Sequence, residues 1–232
     1  MIDTIKGYIE LENYRRSDFK HLLKDSKKMR TKRGYTKTIN LSNFIITISF
    51  DKKYNPQKLF FNGSLPKFYF GNNLYHLDWN TAKKAIQMLS DNLGVDISKA
   101  ILTRVDFGIN IPVDFSVFEY LSCMVGYPRF GVMRFNESVK FLTKSNSRSF
   151  LFYDKQEEIK ANKRNIFGID NNDLKSNILR YEVQVNKNLD KTLRLKKVRV
   201  KDLFRNTVQK KIVECWFNGY QKVIKMSSEV DP

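Results

Sequence analysis

The segment from Ile101 to Ile111 alternates so strictly between apolar and polar residues that it predicts a half-buried β-strand. One face of this strand would carry Thr103, Val105, Phe107, Ile109 and Ile111. The other face would carry Arg104, Asp106, Gly108 and Asn110. Aspartate is depleted in strand interiors, so Asp106 requires a specific reason to be there. The segment therefore predicts a sheet with one buried apolar face and one face that carries polar side chains.

Other segments of the chain predict more strands and two longer helices. Residues 177–185 alternate in the same way and place Arg180, Glu182 and Gln184 on one face. Further strand-like segments lie near 2–11, 42–51, 57–62, 67–71, 130–136, 138–144 and 148–153. A helix is predicted from Trp79 to Leu93, capped by Asp78 and ended by Gly94, and another from about 202 to 226.

This order of elements predicts an α+β fold with antiparallel sheets and helices packed on one face. The chain would form a single domain over residues 1–232. The elements also suggest two fused βαββ-type units, at about 1–100 and 101–232, although no residue-level repeat is visible. The basic run 15–37 would form a loop with a short helix, and 164–177 would form a loop.

The charge of the chain predicts a polyanionic partner. Its 42 Lys and Arg residues stand against 24 acidic ones, which gives a net charge of +18. Nucleic acid is the commonest partner of so basic a folded domain. The predicted DNA contacts are Lys27, Lys28, Arg30, Lys32, Arg33, Arg104, Arg180, Lys196, Lys197 and Arg199.

The sequence argues against a membrane or a disulfide-stabilised protein. Its most apolar run, residues 43–50, is much shorter than a membrane span. The chain has only Cys123 and Cys215, too few for a disulfide framework or a cysteine metal site. These features predict the cytoplasm, and the wide spacing of His21 and His76 excludes a local histidine clamp for a metal.

Tyr153 stands where a strand is predicted to join a helix. Residues 148–153 favour a strand, and Asp154 followed by Glu157 is typical of a helix start. A phenol at this junction lies near backbone N–H groups that favour negative charge, and Lys155 adds a cation. Tyr153 could therefore attack phosphate. From this stretch alone, a tyrosine packed on the core is the better interpretation.

Asp106, Tyr153 and Glu182 together match metal-assisted phosphoryl transfer. Mg²⁺ and Mn²⁺ prefer oxygen ligands such as carboxylates, water and phosphate. The ordinary pKa of tyrosine is about 10. The phenol would thus need the metal, a nearby lysine or the helix start in order to form a covalent phosphodiester intermediate. Structural pairing with Arg104 or Arg180 is the alternative for both carboxylates.

Three motifs carry a resemblance to a known family: Thr103-Arg-Val-Asp-Phe-Gly-Ile-Asn110, Tyr153-Asp-Lys155 and Leu179-Arg-Tyr-Glu-Val183. They resemble the phage and plasmid replication initiators of the gene II/gene X type, in the replication initiation factor superfamily related to the HUH endonucleases. The N-terminal residues 1–5 and the segment 71–74 also fit this group.

The resemblance assigns roles to individual residues. It implies that Tyr153 is the catalytic nucleophile, that Lys155 is the catalytic lysine, and that Asp106 and Glu182 bind Mg²⁺ or Mn²⁺. The chain lacks the paired histidines of the HUH enzymes, so His76 and Asn110 are the candidates for a third metal ligand.

The resemblance also implies a function. The protein would be an endonuclease and ligase that nicks one DNA strand at a replication origin through a 5′-phosphotyrosine. The freed 3′-hydroxyl would then prime rolling-circle replication. Its partners would be origin DNA, single-stranded or in a hairpin, and the helicase and polymerase of a bacterial host. A non-catalytic DNA-binding replication regulator and a plasmid-transfer relaxase are the alternatives.

Overall fold

The computed structural model describes residues 2–24, 26–161 and 177–226. Its strands are β1 Ile2–Glu10, β2 Lys27–Thr31, β3 Gly34–Leu41, β4 Phe44–Asp51, β5 Pro56–Ser64, β6 Ile101–Pro112, β7 Met124–Gly126, β8 Gly131–Phe135, β9 Ser138–Leu142, β10 Arg148–Asp154, β11 Ile178–Val185 and β12 Ile224–Lys225. Its α-helices are α1 Lys20–Leu23, α2 Leu65–Phe70, α3 Trp79–Leu93, α4 Val117–Cys123, α5 Lys155–Ala161, α6 Leu189–Leu193 and α7 Asn206–Gln221. Within the described ranges, no helix is both long and apolar enough to cross a membrane.

Ten of the strands form one antiparallel sheet, in the order β2-β3-β4-β5-β1-β6-β11-β10-β9-β8. This sheet confirms the predicted α+β fold with antiparallel strands. The strand order is the same on both sides of the central β1–β6 pair. In each half the first strand is central, and the later strands run back towards it from the outer edge. The strand order does not show that either half folds alone, so the division near residue 100 stays a prediction.

The apolar face of the sheet holds α7. Tyr181 of β11 lies opposite Ile109 of β6, and its ring stacks on Phe152 with the ring centroids 4.4 Å apart. The same ring packs against Trp216 of α7 at 4.8 Å, and its hydroxyl donates a hydrogen bond to the Trp216 carbonyl. The buried residues of α3 belong to the same core. Burial of these rings fixes α7 on the sheet.

Helix α5 lies at the other face, at one end of the sheet. Its Ile159 forms a small apolar cluster with Leu74 and Ile178. Ile178 alternates in phase with the polar residues Arg180 and Glu182 of β11, so the cluster covers the end of the polar face. Helices thus contact both faces, although α3 and α7 share the main core.

Three local predictions were wrong. Residues 67–71 do not form a strand, because the Ser64 side chain caps α2 and Gly71 ends that helix at a φ of 81°. The basic run 15–37 forms the β2–β3 hairpin after a short helical segment, because β2 pairs along its whole length with β3. The helix predicted from 202 is interrupted by the extended Arg205, so that α7 is preceded by a separate 3-10 turn. The loop predicted at 164–177 lies almost wholly outside the described residues.

We expect the substitution Gly219→Ala to destabilise the fold. A Cβ atom at Gly219 of α7 would lie 2.4 Å from the Phe150 ring and 2.6 Å from the Tyr181 hydroxyl. Overpacking of a core costs about 1–3 kcal/mol, which exceeds the gain of up to about 1 kcal/mol in helix propensity. Urea denaturation would measure this loss in the free energy of unfolding.

Gly131→Ala is the matched control, because its Cβ would meet nothing closer than the Leu142 carbonyl at 3.8 Å. We expect this variant to unfold within about 0.5 kcal/mol of the wild type. Equal unfolding free energies for the two variants would contradict the packing of α7 described above.

Candidate active site

The polar face of the sheet brings together the three side chains that the sequence singled out. Glu182 on β11 lies opposite Gly108 on β6, two positions from Asp106. Tyr153 on β10 lies opposite Arg180, the next residue of the same face of β11. Residues that face each other across an antiparallel pair share one side of the sheet. Asp106, Glu182 and Tyr153 therefore lie on the same face of three neighbouring strands.

Tyr153 is hydrogen-bonded to a carboxylate. Its hydroxyl donates to Glu182 Oε1 at 3.0 Å. Burial raises the pKa of Tyr153 well above its usual range, and the negative charge of Glu182 raises it further. Burial also raises the pKa of Glu182, although the positive Arg180 opposes this. The phenol is therefore protonated at neutral pH, and a carboxylate with increased proton affinity accepts its hydrogen bond.

Arg180 connects the groups of this site. It is 1% exposed. Its guanidinium donates to Asp3 Oδ2 at 2.5 Å, Glu182 Oε1 at 2.9 Å and Asn110 Oδ1 at 3.0 Å. The sequence predicted that Arg180 contacts DNA. Because the guanidinium is buried and fully engaged, it instead positions the carboxylates.

Asp3 was not predicted as a site residue. It lies on β1, is 5% exposed, and its Oδ1 accepts a hydrogen bond from the Ser64 hydroxyl at 2.7 Å. Burial alone would raise the pKa of Asp3, but the positive Arg180 and the Ser64 hydroxyl lower it. The signal that could have found it is the one that drew attention to Asp106, namely an aspartate inside a strand-like segment.

Asp106 is held by Arg104. The Arg104 side chain donates from Nε to Oδ1 at 2.8 Å and from Nη2 to Oδ2 at 2.5 Å, which is a bidentate pair. Asp106 is 2% exposed, and this burial raises its pKa in spite of Arg104. The structural pairings that the sequence offered as alternatives are thus present for both carboxylates, Asp106 with Arg104 and Glu182 with Arg180.

The donor chemistry of the site suits a hard divalent cation. Asp3, Asp106 and Glu182 offer carboxylate oxygens, which Mg²⁺ and Mn²⁺ prefer. Over residues 2–24, 26–161 and 177–226, no three His, Cys, Asp or Glu side chains are arranged to hold a metal. Mg²⁺ commonly uses only one or two carboxylates together with water and phosphate oxygens. The residues therefore fit such an ion in chemistry but do not form a preassembled three-ligand site.

His76 and Asn110 have a structural role. The backbone N–H of Asn110 donates to His76 Nε2 at 2.8 Å, and its side-chain amide donates to the Leu74 carbonyl at 2.6 Å. The Nε2 lone pair of His76 is therefore occupied, and Asn110 Oδ1 already accepts from Arg180. In contrast to their predicted role as a third metal ligand, these residues attach the segment 72–76 to β6.

Lys155 lies under the ring of Tyr153 rather than at its hydroxyl. Its ammonium group is 6.0 Å from the centroid of the Tyr153 ring, and the residue is 0% exposed. It donates to Asn73 Oδ1 at 2.6 Å and to Glu158. Burial lowers the pKa of Lys155, while Glu158 opposes this shift. Lys155 therefore connects the start of α5 to the segment that covers the site.

Most of the other predicted DNA contacts are exposed and lie in two groups. One group occupies the edge strand β2 and its turn: Lys27, Lys28, Arg30, Lys32 and Arg33. The other group lies next to the start of β6, where Arg199 forms a bridge with Ile101: Lys196, Lys197 and Arg199. Arg104 is 33% exposed in its side chain and lies between the candidate site and β1. All these cations are accessible to phosphate.

A comparison with protein families gives one match. A phage family, described as the N-terminal part of a replication-associated protein, matches residues 1–206. This range includes every residue of the polar network. The search of curated proteins returned no match to the chain.

We expect Gly108→Ala to disrupt the polar network. A Cβ atom at Gly108 would lie 2.5 Å from Arg180 Nη2 and 2.9 Å from its Cζ. Because Arg180 is held by three side chains, it cannot move away freely. The free energy of unfolding, measured in urea, should fall by about 1–3 kcal/mol. Gly126→Ala is the control, since its Cβ would meet Ile224 at an ordinary 3.4 Å. A neutral Gly108→Ala would contradict the fixed position of Arg180.

The stability of the protein should depend on the protonation of His76. Although the residue as a whole is exposed, its Nε2 edge lies against β6. Burial of this edge, together with the positive Arg180, lowers the pKa of His76 to about 4. The unfolded value is about 6.5, so this contribution is complete above pH 6.5 and is lost as the pH falls towards 4.

The variant His76→Gln keeps a hydrogen-bond acceptor but does not titrate. We expect the urea midpoint of the wild type to fall relative to that of His76→Gln between pH 7 and pH 5. Parallel midpoints across this range would show that His76 is protonated equally easily in the folded and unfolded protein.

Proposed function

We propose, since the chain belongs to this phage family of replication-associated proteins, that it nicks and rejoins one DNA strand at a replication origin. Family membership gives the chain a role in the initiation of phage replication, with DNA as its partner. The observation that carries the proposed chemistry is the hydrogen bond from Tyr153 to Glu182 on a polar, arginine-containing sheet face.

The proposed reaction is a transesterification. The Tyr153 oxygen attacks the phosphorus atom of a DNA phosphodiester, and the bond from phosphorus to the 3′-oxygen breaks. The phenol proton passes to Glu182, and the released 3′-oxygen takes a proton from water. A 5′-phosphotyrosine replaces the broken diester, so the strand can be rejoined by the reverse reaction. The free 3′-hydroxyl would prime replication.

Glu182 is placed to act as the general base. It accepts the hydrogen bond of the phenol at 3.0 Å, and burial raises its pKa towards the range in which a carboxylate takes up protons. When Glu182 becomes neutral, Arg180 keeps Asp3 as its counter-ion. The second carboxylate thus prevents a buried arginine from losing all its negative partners during the reaction.

Asp106 and Glu182, with Asp3, would hold the Mg²⁺ or Mn²⁺ ion that we propose as the cofactor. Bound there, such an ion supplies positive charge that neutralises and orients the phosphate. Lys155 would keep the start of α5 and Asn73 in place beneath the ring of Tyr153. The exposed cations of β2 and of residues 196–199 would contact DNA phosphates, so we propose that affinity falls steeply with salt.

A non-catalytic DNA-binding regulator of replication is the second candidate function. It is favoured by the arginine pairing of Asp106 and Glu182, since such pairs also occur in purely structural networks. The raised pKa of Tyr153 agrees with this alternative, because a protonated phenol is a weak nucleophile. Catalysis and binding alone are separated by a nicking experiment.

The substitution Tyr153→Phe should abolish nicking. The assay uses supercoiled circular DNA that contains the replicon encoding the chain, with Mn²⁺ or Mg²⁺ present. We expect the wild type to produce open circles with protein attached to a 5′ end. The Tyr153→Phe rate should fall at least about 100-fold, because the attacking oxygen is removed. Tyr220→Phe, on α7 at the opposite face, should nick at the wild-type rate.

Binding of the same DNA by Tyr153→Phe is the control for folding and should equal that of the wild type. Wild-type nicking by Tyr153→Phe would refute the proposed nucleophile. DNA binding by every protein, without nicking even by the wild type under either metal, would favour the regulator.

A further inference from the structure

The polar face of the sheet continues beyond the candidate site onto β1, β5 and β4. Lys6 on β1 lies opposite Arg104, the residue that holds Asp106. Two positions along β1, Tyr8 lies opposite Phe60 on β5. Lys58 of β5 and Ile45 of β4 share this face. We call the surface formed by Lys6, Tyr8, Ile45, Lys58 and Phe60 the sheet platform.

The sheet platform exposes apolar and aromatic groups. Phe60 is 41% exposed and Ile45 is 51% exposed, whereas their neighbours Leu59 and Ile46 on the opposite face are fully buried. The rings of Tyr8 and Phe60 lie 6.0 Å apart and are tilted by 42°. The solvated face of an antiparallel sheet is usually polar. Exposed rings next to a functional site are therefore typical of a binding surface.

Positive charge surrounds these rings. The Lys58 ammonium lies 5.0 Å from the centroid of the Tyr8 ring and also pairs with Glu10. Lys6 is exposed, and Arg104 is one third exposed in its side chain. In a chain with net charge +18, this surface is complementary to a polyanion that also has flat apolar groups. Single-stranded DNA has both properties.

A flat sheet distinguishes unpaired DNA from duplex DNA. In a duplex the base faces are covered by neighbouring bases, so aromatic side chains on a sheet cannot reach them. In a single strand each base has an open face, and stacking on an aromatic side chain stabilises binding with little dependence on sequence. The combination of exposed rings and surrounding lysines therefore favours unpaired DNA over a double helix.

The sheet platform is continuous with the candidate site. Glu182 faces Gly108, and Tyr8 faces Ile101, which lies seven positions back along the same strand β6. At about 3.3 Å per residue, these positions are about 23 Å apart along the strand. Arg104 lies between them. A DNA strand with its reactive phosphate at Tyr153 could therefore cross the platform a few nucleotides away.

We propose that the sheet platform binds the unpaired DNA strand next to the cleavage point, through stacking of bases on Tyr8 and Phe60. The position of the cleavage point rests on the proposed function, but the binding itself does not. Lys6 and Lys58 contact the phosphates between the stacked bases. The platform holds the strand in its single-stranded form while the reactive phosphate lies at the polar network.

The test measures the binding of a short fluorescent single strand of mixed sequence, and of its duplex, in the presence of a metal chelator. Tyr8→Ala and Phe60→Ala should each weaken single-strand binding about five- to 100-fold, the range found for loss of one stacking side chain. Duplex binding should change less than about two-fold, because it depends on phosphate contacts elsewhere. Tyr8→Phe and Phe60→Trp, which keep an aromatic ring, should retain binding.

A base analogue whose fluorescence is quenched by stacking provides a second signal. Incorporated in the single strand, it should be quenched by the wild type and not by the double variant Tyr8→Ala, Phe60→Ala. Phe118→Ala is the matched control, since Phe118 is 65% exposed on α4, outside the platform. This control should bind and quench as the wild type does.

Wild-type single-strand affinity in the double variant would overturn the proposal. Equal losses for single strand and duplex, or an equal loss in Phe118→Ala, would overturn it as well. The proposed function fails independently: it is refuted if Tyr153→Phe nicks normally, even when the platform variants lose single-strand binding. Conversely, normal single-strand binding by variants that lack both rings, with nicking still dependent on Tyr153, would refute the platform alone.

Discussion

The buried guanidinium of Arg180 is the constraint on which the rest of the polar face depends. It joins Asp3 of β1, Glu182 of β11 and Asn110 of β6, and it also donates to the Asn73 carbonyl. Loss of one partner from a buried ion pair costs about 3–5 kcal/mol, because a charge is left without compensation. Arg180 therefore fixes the central strands and the covering segment in one arrangement, in which Glu182 accepts the hydrogen bond of Tyr153.

The two faces of the sheet have different tasks because side chains alternate along each strand. On β11, Tyr181 and Val183 pack beneath α7, while Arg180 and Glu182 form the polar network. A shift in register by one residue would exchange these two sets, so the apolar core and the candidate site are specified together. The aromatic packing around Tyr181 thus helps to define the geometry of a site on the opposite face.

Local periodicity predicted the parts of the fold that depend on short-range sequence. It identified β6, β11 and α3, and alternation placed Asp106 and Glu182 on polar faces. It could not predict that β1 lies next to β6, since this pairing joins distant segments, and Asp3 was therefore missed. The burial of Arg180 depends on the same pairing and on Gly108, which leaves room for the guanidinium. Helix α2 was read as a strand because its aromatic residues suit both states, and the Ser64 cap decides between them.

The identity of the tyrosine that becomes joined to DNA tests the central claim most directly. A single strand that is cleaved but cannot be rejoined would trap the covalent complex, and mass spectrometry of the digested protein would locate the nucleotide. The account predicts a 5′-linked nucleotide on the peptide that contains Tyr153, next to its hydrogen-bond acceptor Glu182. A nucleotide on any other tyrosine, such as Tyr8 of the sheet platform, would contradict it.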